Sequence, residues 1–391
     1  MKIGIVLPAA PGYSETFFTN KIKGLQANGH EVVLFVNTSK GQSDFICEIK
    51  KAPSLSGNAL NVFWVSLFCL IKTWLLHFGA TYRLFKNNKK DGLSFGSCLK
   101  NSITNSHILS ESLDWLHFGF GTMAIGRENV AKSIGAKMAV SFRGFDIGIY
   151  PVKNPNCYRL LWQKVDKIHV ISDDIKELVY KHGFSGEAPI VKITPAINTD
   201  YFKSDTIDSN NDSLQLMTVA RLNWKKGLEY TFEALAILKQ QKIAFHYTII
   251  GDGNEKERLV FAVHQLGLKE NVTFAGKLSP EEVKAQLQSA DLYLQYSIQE
   301  GFCNAVLEAQ AMGKICVVSD AEGLRENVVD GITGFVVPKR KPLSLANKIV
   351  EVVRLSETEK NKLRQKAIER MKTHFTIEKQ IEEFNDFYEI I

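Results

Sequence analysis

The chain has 391 residues, enough for two or three domains with hydrophobic cores of their own. Apolar residues make up 45% of the sequence and charged residues 23%, which is ordinary for a soluble globular protein. The net charge of +6 is mild and no concentrated Lys/Arg tract is present, so we exclude nucleic acid as a partner. A phosphate-bearing substrate or an anionic membrane surface explains the positive charge better.

The first elements follow the order strand, loop, helix and strand, at residues 3–7, 8–13, 14–25 and 31–36. This order opens a doubly wound α/β domain. The loop lacks Gly-x-Gly-x-x-Gly, which makes a dinucleotide-dependent dehydrogenase a poor interpretation. The six cysteines form no Cys-x-x-Cys pair, and the start MKIGIVLP is too short for a signal peptide. Both observations predict a reducing, cytoplasmic environment.

Residues 60–85 form the most apolar segment, which is followed by the basic run KNNKK. Its uninterrupted apolar part covers about 12 residues, too short to span a bilayer, which takes about 20. Three interpretations stay open. The segment is an apolar pair of core helices, or a subunit contact, or a helix in the membrane interface with Trp64, Trp74 and Tyr82 among the lipid headgroups.

Further strands are expected at residues 114–120, 138–142, 168–171 and 190–193. A polar, aperiodic stretch at 203–213 then marks a domain boundary. The next domain begins with a strand at 214–219 and a loop that holds Arg221 and Lys226. Two cations at a strand end can point at one spot and stabilise a departing diphosphate.

The most informative stretch covers residues 290–337. It predicts a strand at 292–296, a loop, a helix after Cys303 that ends near Gly313, and a strand at 315–319. Glu300 is expected in the loop and Glu308 about two turns into the helix. Open α/β sheets bind ligands at the carboxyl ends of their strands, where this loop lies.

The start of this helix suits an anion, since the amides of Asn304, Ala305 and Val306 have no partner within the helix. Carboxylates beside a phosphate site are better used as acceptors for sugar hydroxyls. A phosphate site with Glu300 and Glu308 on either side therefore predicts a nucleotide sugar as ligand. A two-carboxylate hydrolase is a chemical rival, but a carboxylate on a helix beside a phosphate site fits it poorly.

At this point the sequence resembles a known family. The pattern E-G-F-x4-L-E-A, then V-V-S-D, Gly-x-x-Glu and D-G-x-T-G-F, is similar to the donor-site signature of glycosyltransferase family 4. The N-terminal P-x-x-S-E-T-F and G-H-E-V resemble members that assemble exopolysaccharides, of the colanic-acid type. The resemblance implies retaining enzymes of GT-B fold, which is α/β, with two Rossmann-like doubly wound domains facing across a cleft.

The resemblance also implies the domain limits. Residues 1–196 are expected to form an acceptor-side Rossmann-like domain, 197–213 a linker and 214–372 the nucleotide-sugar donor domain. Residues 373–391 are expected to form a last helix that crosses back to the first domain.

By resemblance, Glu300 contacts the donor sugar, Glu308 the ribose, and Arg221 with Lys226 the diphosphate. Arg143 stands where relatives carry a histidine; it can brace the leaving phosphate but cannot act as a neutral proton carrier. A structural salt bridge to Asp146 is the alternative for Arg143. The full donor site is expected to comprise Gly251, Asp252, Gly301, Phe302, Cys303, Asn304, Ala305, Val306 and Glu308. The acceptor side is expected to comprise Gly12, Glu15, His117 and Asp146, although a plain helix-entry turn explains the first two as well.

These residues predict retaining transfer of a sugar from a nucleotide diphosphate sugar to a glycan or polyprenyl-linked acceptor, in cell-surface polysaccharide biosynthesis. The sequence has no Asp-x-Asp and no cluster with metal-ligand spacing, so neither a metal nor a cofactor is expected. The enzyme is expected in the cytoplasm, in peripheral contact with the inner membrane through residues 60–85. A non-catalytic nucleotide-sugar-binding subunit and a GT-B-fold nucleotide-sugar epimerase are the alternatives.

Overall fold

A computed structural model describes residues 1–12, 16–38, 46–203 and 213–389. The chain divides into two compact units, one formed by Met1–Ile193 with Gln380–Ile391 and the other by Thr194–Lys379. The division falls before the linker expected at 197–213, because the Ile197 N–H donates to the Phe375 carbonyl (3.0 Å) within the second unit. Residues 204–212 of that linker, like Glu15, lie outside the described residues.

The described part of the first unit contains a seven-stranded parallel sheet in the order β3-β2-β1-β4-β5-β6-β7. Its strands are β1 (Lys2–Ala9), β2 (Glu31–Thr38), β3 (Glu48–Lys51), β4 (Trp115–Phe118), β5 (Lys137–Phe142), β6 (Lys167–Val170) and β7 (Ile190–Lys192). Its helices are α1 (Thr16–Ala27), α2 (Ala59–Leu76), α3 (Phe78–Lys90), α4 (Phe95–Thr104), α5 (Ser106–Leu109), α6 (Gly121–Ala124), α7 (Val130–Ile134), α8 (Phe145–Gly148), α9 (Tyr150–Lys153) and α10 (Asp173–Lys181), with a 3-10 turn at Leu161–Gln163.

The second unit contains a parallel sheet in the order β10-β9-β8-β11-β12-β13, six strands among its described residues. Its strands are β8 (Leu214–Val219), β9 (Phe245–Ile250), β10 (Val272–Gly276), β11 (Leu292–Gln295), β12 (Ile315–Ser319) and β13 (Gly334–Val337). Its helices are α11 (Leu228–Gln240), α12 (Lys256–Gln265), α13 (Pro280–Ser289), α14 (Asn304–Ala311), α15 (Leu324–Asn327), α16 (Pro342–Arg354) and α17 (Glu357–His374), with a 3-10 turn at Trp224–Lys226.

Each sheet reverses its strand order beside its first strand, between β1 and β4 in the first unit and between β8 and β11 in the second. Crevices at the carboxyl ends of strands form at such switch points. In the second unit the loops at 220–227 and 296–303 leave β8 and β11, which are hydrogen-bonded neighbours. Two segments far apart in the sequence therefore meet at the carboxyl-terminal edge of the sheet, where its parallel strands end. Both units have the doubly wound α/β architecture expected from the sequence.

The last helix, α18 (Ile377–Glu389), belongs to the first unit from Gln380 onward. Phe384, Phe387 and Tyr388 enter the core around β1 and β2. Helix α1 meets α18 at Gly24, where a Cβ would lie 2.3 Å from the Ile381 side chain, so only glycine allows this approach.

The apolar segment at 60–85 is not a pair of core helices, which corrects one of the three interpretations. It forms α2 and α3, and of the 18 residues of α2 only Thr73 is buried. The helix also runs on through Lys72, so the apolar length is greater than the 12 or so residues expected from the uninterrupted run. By length and composition alone, α2 is long and apolar enough to cross a membrane.

Candidate active site

The loop after β8 brings Arg221 and Lys226 to the switch point of the second sheet. The Asn223 side chain accepts a hydrogen bond from the Lys225 amide (3.1 Å) and opens the 3-10 turn. Gly227 ends the turn in the left-handed region (φ +60°), where a Cβ would lie 2.4 Å from the Tyr296 carbonyl. The turn is thereby pressed against the loop that follows β11.

Lys226 and Glu300 form an ion pair at the centre of this edge. The side chains are only 16% and 15% exposed, so the pair is weakly screened. Burial by itself would lower the pKa of Lys226, but the negative charge of Glu300 outweighs burial and raises it. Lys226 is therefore a fixed cation. An ammonium has three N–H donors, so the pair leaves donors for phosphate oxygens.

Arg221 supplies a second cation at the same edge. It is exposed, and its positive charge acts to lower the pKa of Lys226. Within the described ranges Arg221 forms no ion pair, so its guanidinium is open to an anionic ligand. The two cations create a region of positive potential beside Glu300.

A buried chain of hydrogen bonds fixes the orientation of Glu300. Ser297 Oγ donates to Glu300 Oε2 (3.2 Å) and accepts from Gln295 Nε2 (2.9 Å). Gln295 Oε1 in turn lies 3.1 Å from the Tyr293 hydroxyl, which accepts from the Val219 amide (3.1 Å). Tyr293, Gln295 and Ser297 are fully buried. Sequence reasoning missed this chain, although polar groups at every second position of an apolar strand were a usable signal.

The backbone around Glu300 is braced by the loop after β12. The Glu300 amide donates to Glu322 Oε2 (3.2 Å), and the Gly323 amide donates to the Glu300 carbonyl (3.0 Å). A Cβ on Gly323 would lie 1.9 Å from the Gly301 carbonyl oxygen, so the two loops touch through backbone. This contact gives the Gly-x-x-Glu motif a physical role.

Helix α14 begins at a point fixed by Asn327. The Asn327 side chain accepts from the Cys303 amide (3.0 Å) and donates to the Cys303 carbonyl (3.1 Å). Phe302 is buried against Phe375 (5.8 Å between ring centroids), and burial raises the pKa of the Cys303 thiol to about 12. The Phe302 and Cys303 side chains are therefore buried, and the amide and carbonyl of Cys303 are already hydrogen-bonded to Asn327.

The start of α14 places the amides of Asn304, Ala305 and Val306 beside the Glu300 loop. The first amides of a helix have no partner within it and carry partial positive charge, which favours a phosphate. Glu308 lies one turn further on and is half-buried. Burial raises the pKa of its carboxyl to about 7. Burial removes water from the Glu308 carboxyl, and a bound ribose diol can donate hydrogen bonds to it in place of that water.

The loop after β9 brings Gly251 and Asp252 to the same edge. Gly251 has φ +137°, and a Cβ there would lie 1.9 Å from the Ala220 carbonyl oxygen. The Leu222 amide donates to the Asp252 carbonyl (3.0 Å), which ties this loop to the Arg221 loop. The structure thus gathers the predicted second-unit residues at one sheet edge. Within the described ranges, no group of three or more His, Cys, Asp or Glu side chains is placed to hold a metal ion.

His117, predicted on the acceptor side, lies in the interior of the first unit. Its imidazole is 2.7 Å from Ser141 Oγ, 2.5 Å from the Tyr388 hydroxyl and 3.2 Å from Lys21 Nζ. Burial, and next the charge of Lys21, keep the pKa of His117 well below its usual value, so the ring is neutral. This hydrogen-bond network connects β4 to α1 and α18, so His117 has a structural role.

Asp146 is also buried, and it organises the turn that carries Arg143. Its carboxylate accepts from the amides of Arg143 and Gly144 (both 2.9 Å) and of Gly121 (3.1 Å). The Arg143 guanidinium lies over the Phe17 ring, 3.8 Å from its centroid. Gly12 is exposed, and Glu15 lies outside the described residues.

In sequence, the chain is similar to known glycosyltransferases. The sequence profile described as "Glycosyl transferases group 1" matches residues 202–373, which lie wholly in the second unit. The putative colanic acid biosynthesis glycosyltransferase WcaL of Salmonella typhimurium is 28% identical over 380 residues, 91% of each chain. The amylovoran biosynthesis glycosyltransferase AmsK of Erwinia amylovora is 29% identical over 253 residues, 62% of this chain and 61% of AmsK.

Solved structures show the same fold. Anabaena Alr3699/HepE in complex with UDP and glucose superimposes with a TM-score of 0.75 at 14% identity, over 100% of both chains. The lipopolysaccharide outer core galactosyltransferase WaaB gives a TM-score of 0.68 at 18% identity, over 99% of both chains. The second unit therefore matches the group 1 glycosyl transferase profile, and the chain has the GT-B fold of two Rossmann-like units.

Proposed function

We propose that the protein is a retaining glycosyltransferase that moves a sugar from a nucleotide diphosphate sugar to a glycan or lipid-linked glycan in cell-surface polysaccharide biosynthesis. The observation that carries this proposal is the ion pair of Lys226 and Glu300 beside Arg221 and the start of α14. This edge combines cations for a diphosphate with a carboxylate for sugar hydroxyls. The names of WcaL and AmsK support the polysaccharide context, and the UDP bound by HepE supports the donor class.

The proposed reaction breaks the bond between the anomeric carbon and the diphosphate oxygen, joins that carbon to an acceptor hydroxyl oxygen, and passes the hydroxyl proton to the departing diphosphate. Negative charge collects on the departing diphosphate. Arg221, Lys226 and the α14 amides would stabilise this charge without reorganising, which is the most effective form of electrostatic catalysis. Glu300, held by Ser297, would orient the sugar, and Glu308 would accept from the ribose. With two protein cations in place, we propose that no divalent ion is required.

Sugar transfer is tested by product analysis. The purified protein is incubated with a panel of nucleotide diphosphate sugars and a polyprenyl-linked glycan extract, in buffer with EDTA, and the product is analysed by NMR. We expect transfer with the anomeric configuration of the donor. An inverted product would contradict retention, loss of transfer in EDTA would contradict metal independence, and binding without transfer would favour a non-catalytic subunit. An altered sugar without any acceptor would favour an epimerase.

The environment of Glu308 gives a prediction about pH and stability. Its carboxyl has a pKa of about 7 in the folded chain against 4.5 when unperturbed, so folding is progressively disfavoured as the pH rises through this window. Glu308→Gln is therefore expected to raise the free energy of unfolding at pH 8, by up to about 3 kcal/mol, and to change it little at pH 4. Urea titrations at both pH values measure the difference.

Glu270→Gln, at an exposed position of the same unit, is the matched control and is expected to show no such pH dependence. The stabilised Glu308→Gln variant is also expected to bind donor more weakly, since an amide is a poorer acceptor for a diol than a carboxylate. An equal effect of Glu308→Gln on the free energy of unfolding at the two pH values would contradict the raised pKa of Glu308.

We further propose that the protein works in the cytoplasm, on the cytoplasmic face of the membrane. All six cysteines are free thiols, as a reducing compartment favours. Lipid-linked acceptors would be reached at that face.

A further inference from the structure

The outer side of α2 carries a continuous apolar stripe that faces away from the first unit. Trp64, Phe68 and Leu75 are 59%, 67% and 75% exposed, and Leu60 and Ile71 continue the row. The spacing of these five residues is that of one helix face. Soluble proteins pack such a stripe against their core. In this helix the apolar face is exposed instead, which is unfavourable for a chain surrounded by water.

The stripe continues onto α3 and α4. Phe78, Tyr82 and Phe95 are each about half exposed or more. Trp74 contacts the Phe78 ring (5.8 Å between centroids), Phe78 stacks on Tyr82 (5.9 Å), and Phe95 contacts Phe85 (5.3 Å). We call the exposed apolar side chains of α2, α3 and α4 the apolar surface. Aromatic rings of this kind are typical of the zone between lipid headgroups and acyl chains.

The apolar surface is held rigidly by its inner side. Thr81 Oγ1 donates to the Thr73 carbonyl (3.1 Å) and joins α3 to α2. Arg83 Nε donates to the Ser133 carbonyl (2.8 Å), and α2 packs against α4 and α5. One side of α2 is thus occupied by protein. A helix that spans a bilayer needs lipid or other spanning helices around it, so only the outer face of α2 is available to a membrane.

Charge along this part of the sequence is of one sign. From residue 49 to residue 90 the chain has seven lysines and arginines and no aspartate or glutamate. Lys72, Lys86, Lys89 and Lys90 are exposed. A symmetric dimer through this surface would place like charges opposite each other, which is unfavourable. An anionic bilayer instead complements both the apolar stripe and its basic border.

A groove of about 260 Å³ beneath α2 adds to this complementarity. Lys51, Lys72 and His77 line it together with Val65 and Phe68, and its lining contains no carboxylate. The groove has the chemistry of a lipid headgroup phosphate next to an acyl chain.

We propose that the apolar surface docks α2 flat on an anionic phospholipid bilayer, with the aromatic and aliphatic side chains at the level of the headgroups and the lysines on lipid phosphates. The helix lies in the plane of the interface and does not span it. None of the donor-site residues takes part, so the proposal is independent of sugar transfer.

Vesicle flotation of the full-length protein tests the proposal without donor or acceptor. The wild type is expected to float with phosphatidylglycerol vesicles, to float much less with phosphatidylcholine vesicles, and to be released by alkaline carbonate. Trp64→Ser/Phe68→Ser/Leu75→Ser is expected to lower the partition coefficient at least about 100-fold, because three apolar side chains no longer enter the interface. Phe261→Ser, which changes an equally exposed aromatic of the second unit, is the matched control.

Lys86→Gln/Lys89→Gln/Lys90→Gln provides a second, independent variant. We expect a loss of about fivefold per lysine, so about 100-fold in total, at low salt and on anionic vesicles only. Melting curves confirm that the variants fold. Failure of the wild type to float, unchanged flotation of both variants, or resistance to carbonate would each overturn in-plane docking. So would a dimer of the wild type in solution that the stripe variant dissociates.

Discussion

Replacing Lys226 with alanine is expected to lower kcat/KM for the sugar donor by about 100- to 1000-fold, the loss typical of removing one fixed group that stabilises transition-state charge. Lys226 is a largely buried ammonium whose pKa is raised and whose position is set by its pair with Glu300. Arg221 cannot take over the role of Lys226, because its side chain is exposed and projects from an earlier position of the loop. The rate of label transfer from the nucleotide sugar to the glycan extract measures the effect.

Lys269→Ala removes an exposed lysine of the same unit and controls for the change in net charge. It is expected to transfer at the wild-type rate. A Lys226→Ala enzyme that transfers as fast as this control would remove the lysine from the diphosphate site.

Glu300→Ala is expected to abolish most transfer, again by about 100-fold or more, and also to weaken the fold. The substitution leaves the largely buried ammonium of Lys226 without its partner, which costs about 1–3 kcal/mol of unfolding free energy. Burial then acts unopposed and lowers the pKa of Lys226, so the variant is expected to lose activity further as the pH rises. Transfer rates from pH 7 to pH 9, together with urea titrations, measure both effects.

Glu300→Gln separates charge from hydrogen bonding, since the amide can still accept from Ser297. It is expected to keep more of the stability than Glu300→Ala while losing transfer. The double variant Lys226→Ala/Glu300→Ala is expected to be far less damaged than the sum of the single variants, because the two groups act as one unit. Near-wild-type transfer by Glu300→Ala would remove Glu300 from the donor site, and additive losses would show that Lys226 and Glu300 do not act as one unit.

Much of the fold was predictable because long apolar runs identify buried parallel strands. The strands expected at 214–219 and 315–319 coincide with β8 and β12, and the strand expected at 292–296 differs from β11 by one residue. Strand β3 was missed because Glu48–Lys51 is a short, charged strand at the sheet edge with no apolar run.

The site was only partly predictable, because local patterns do not state which strands are neighbours. Lys226 and Glu300 are 74 positions apart, and their contact depends on the pairing of β8 with β11. The sequence around His117 does not indicate that the ring is buried under α18. The apolar composition of α2 likewise fits a buried and an exposed helix equally, since hydropathy carries no information on which side faces protein.

We propose that protein cations of the second unit bind the diphosphate of an activated sugar. Titration calorimetry with a panel of nucleoside diphosphates, in buffer with EDTA, tests it most directly on the wild type, Arg221→Ala and Lys226→Ala. We expect at least one nucleoside diphosphate to bind the wild type and each variant to bind it about 10- to 100-fold more weakly, as the loss of a charge-assisted hydrogen bond requires. Equal affinity of all three proteins, or binding by the wild type only when a divalent ion is added, would contradict it.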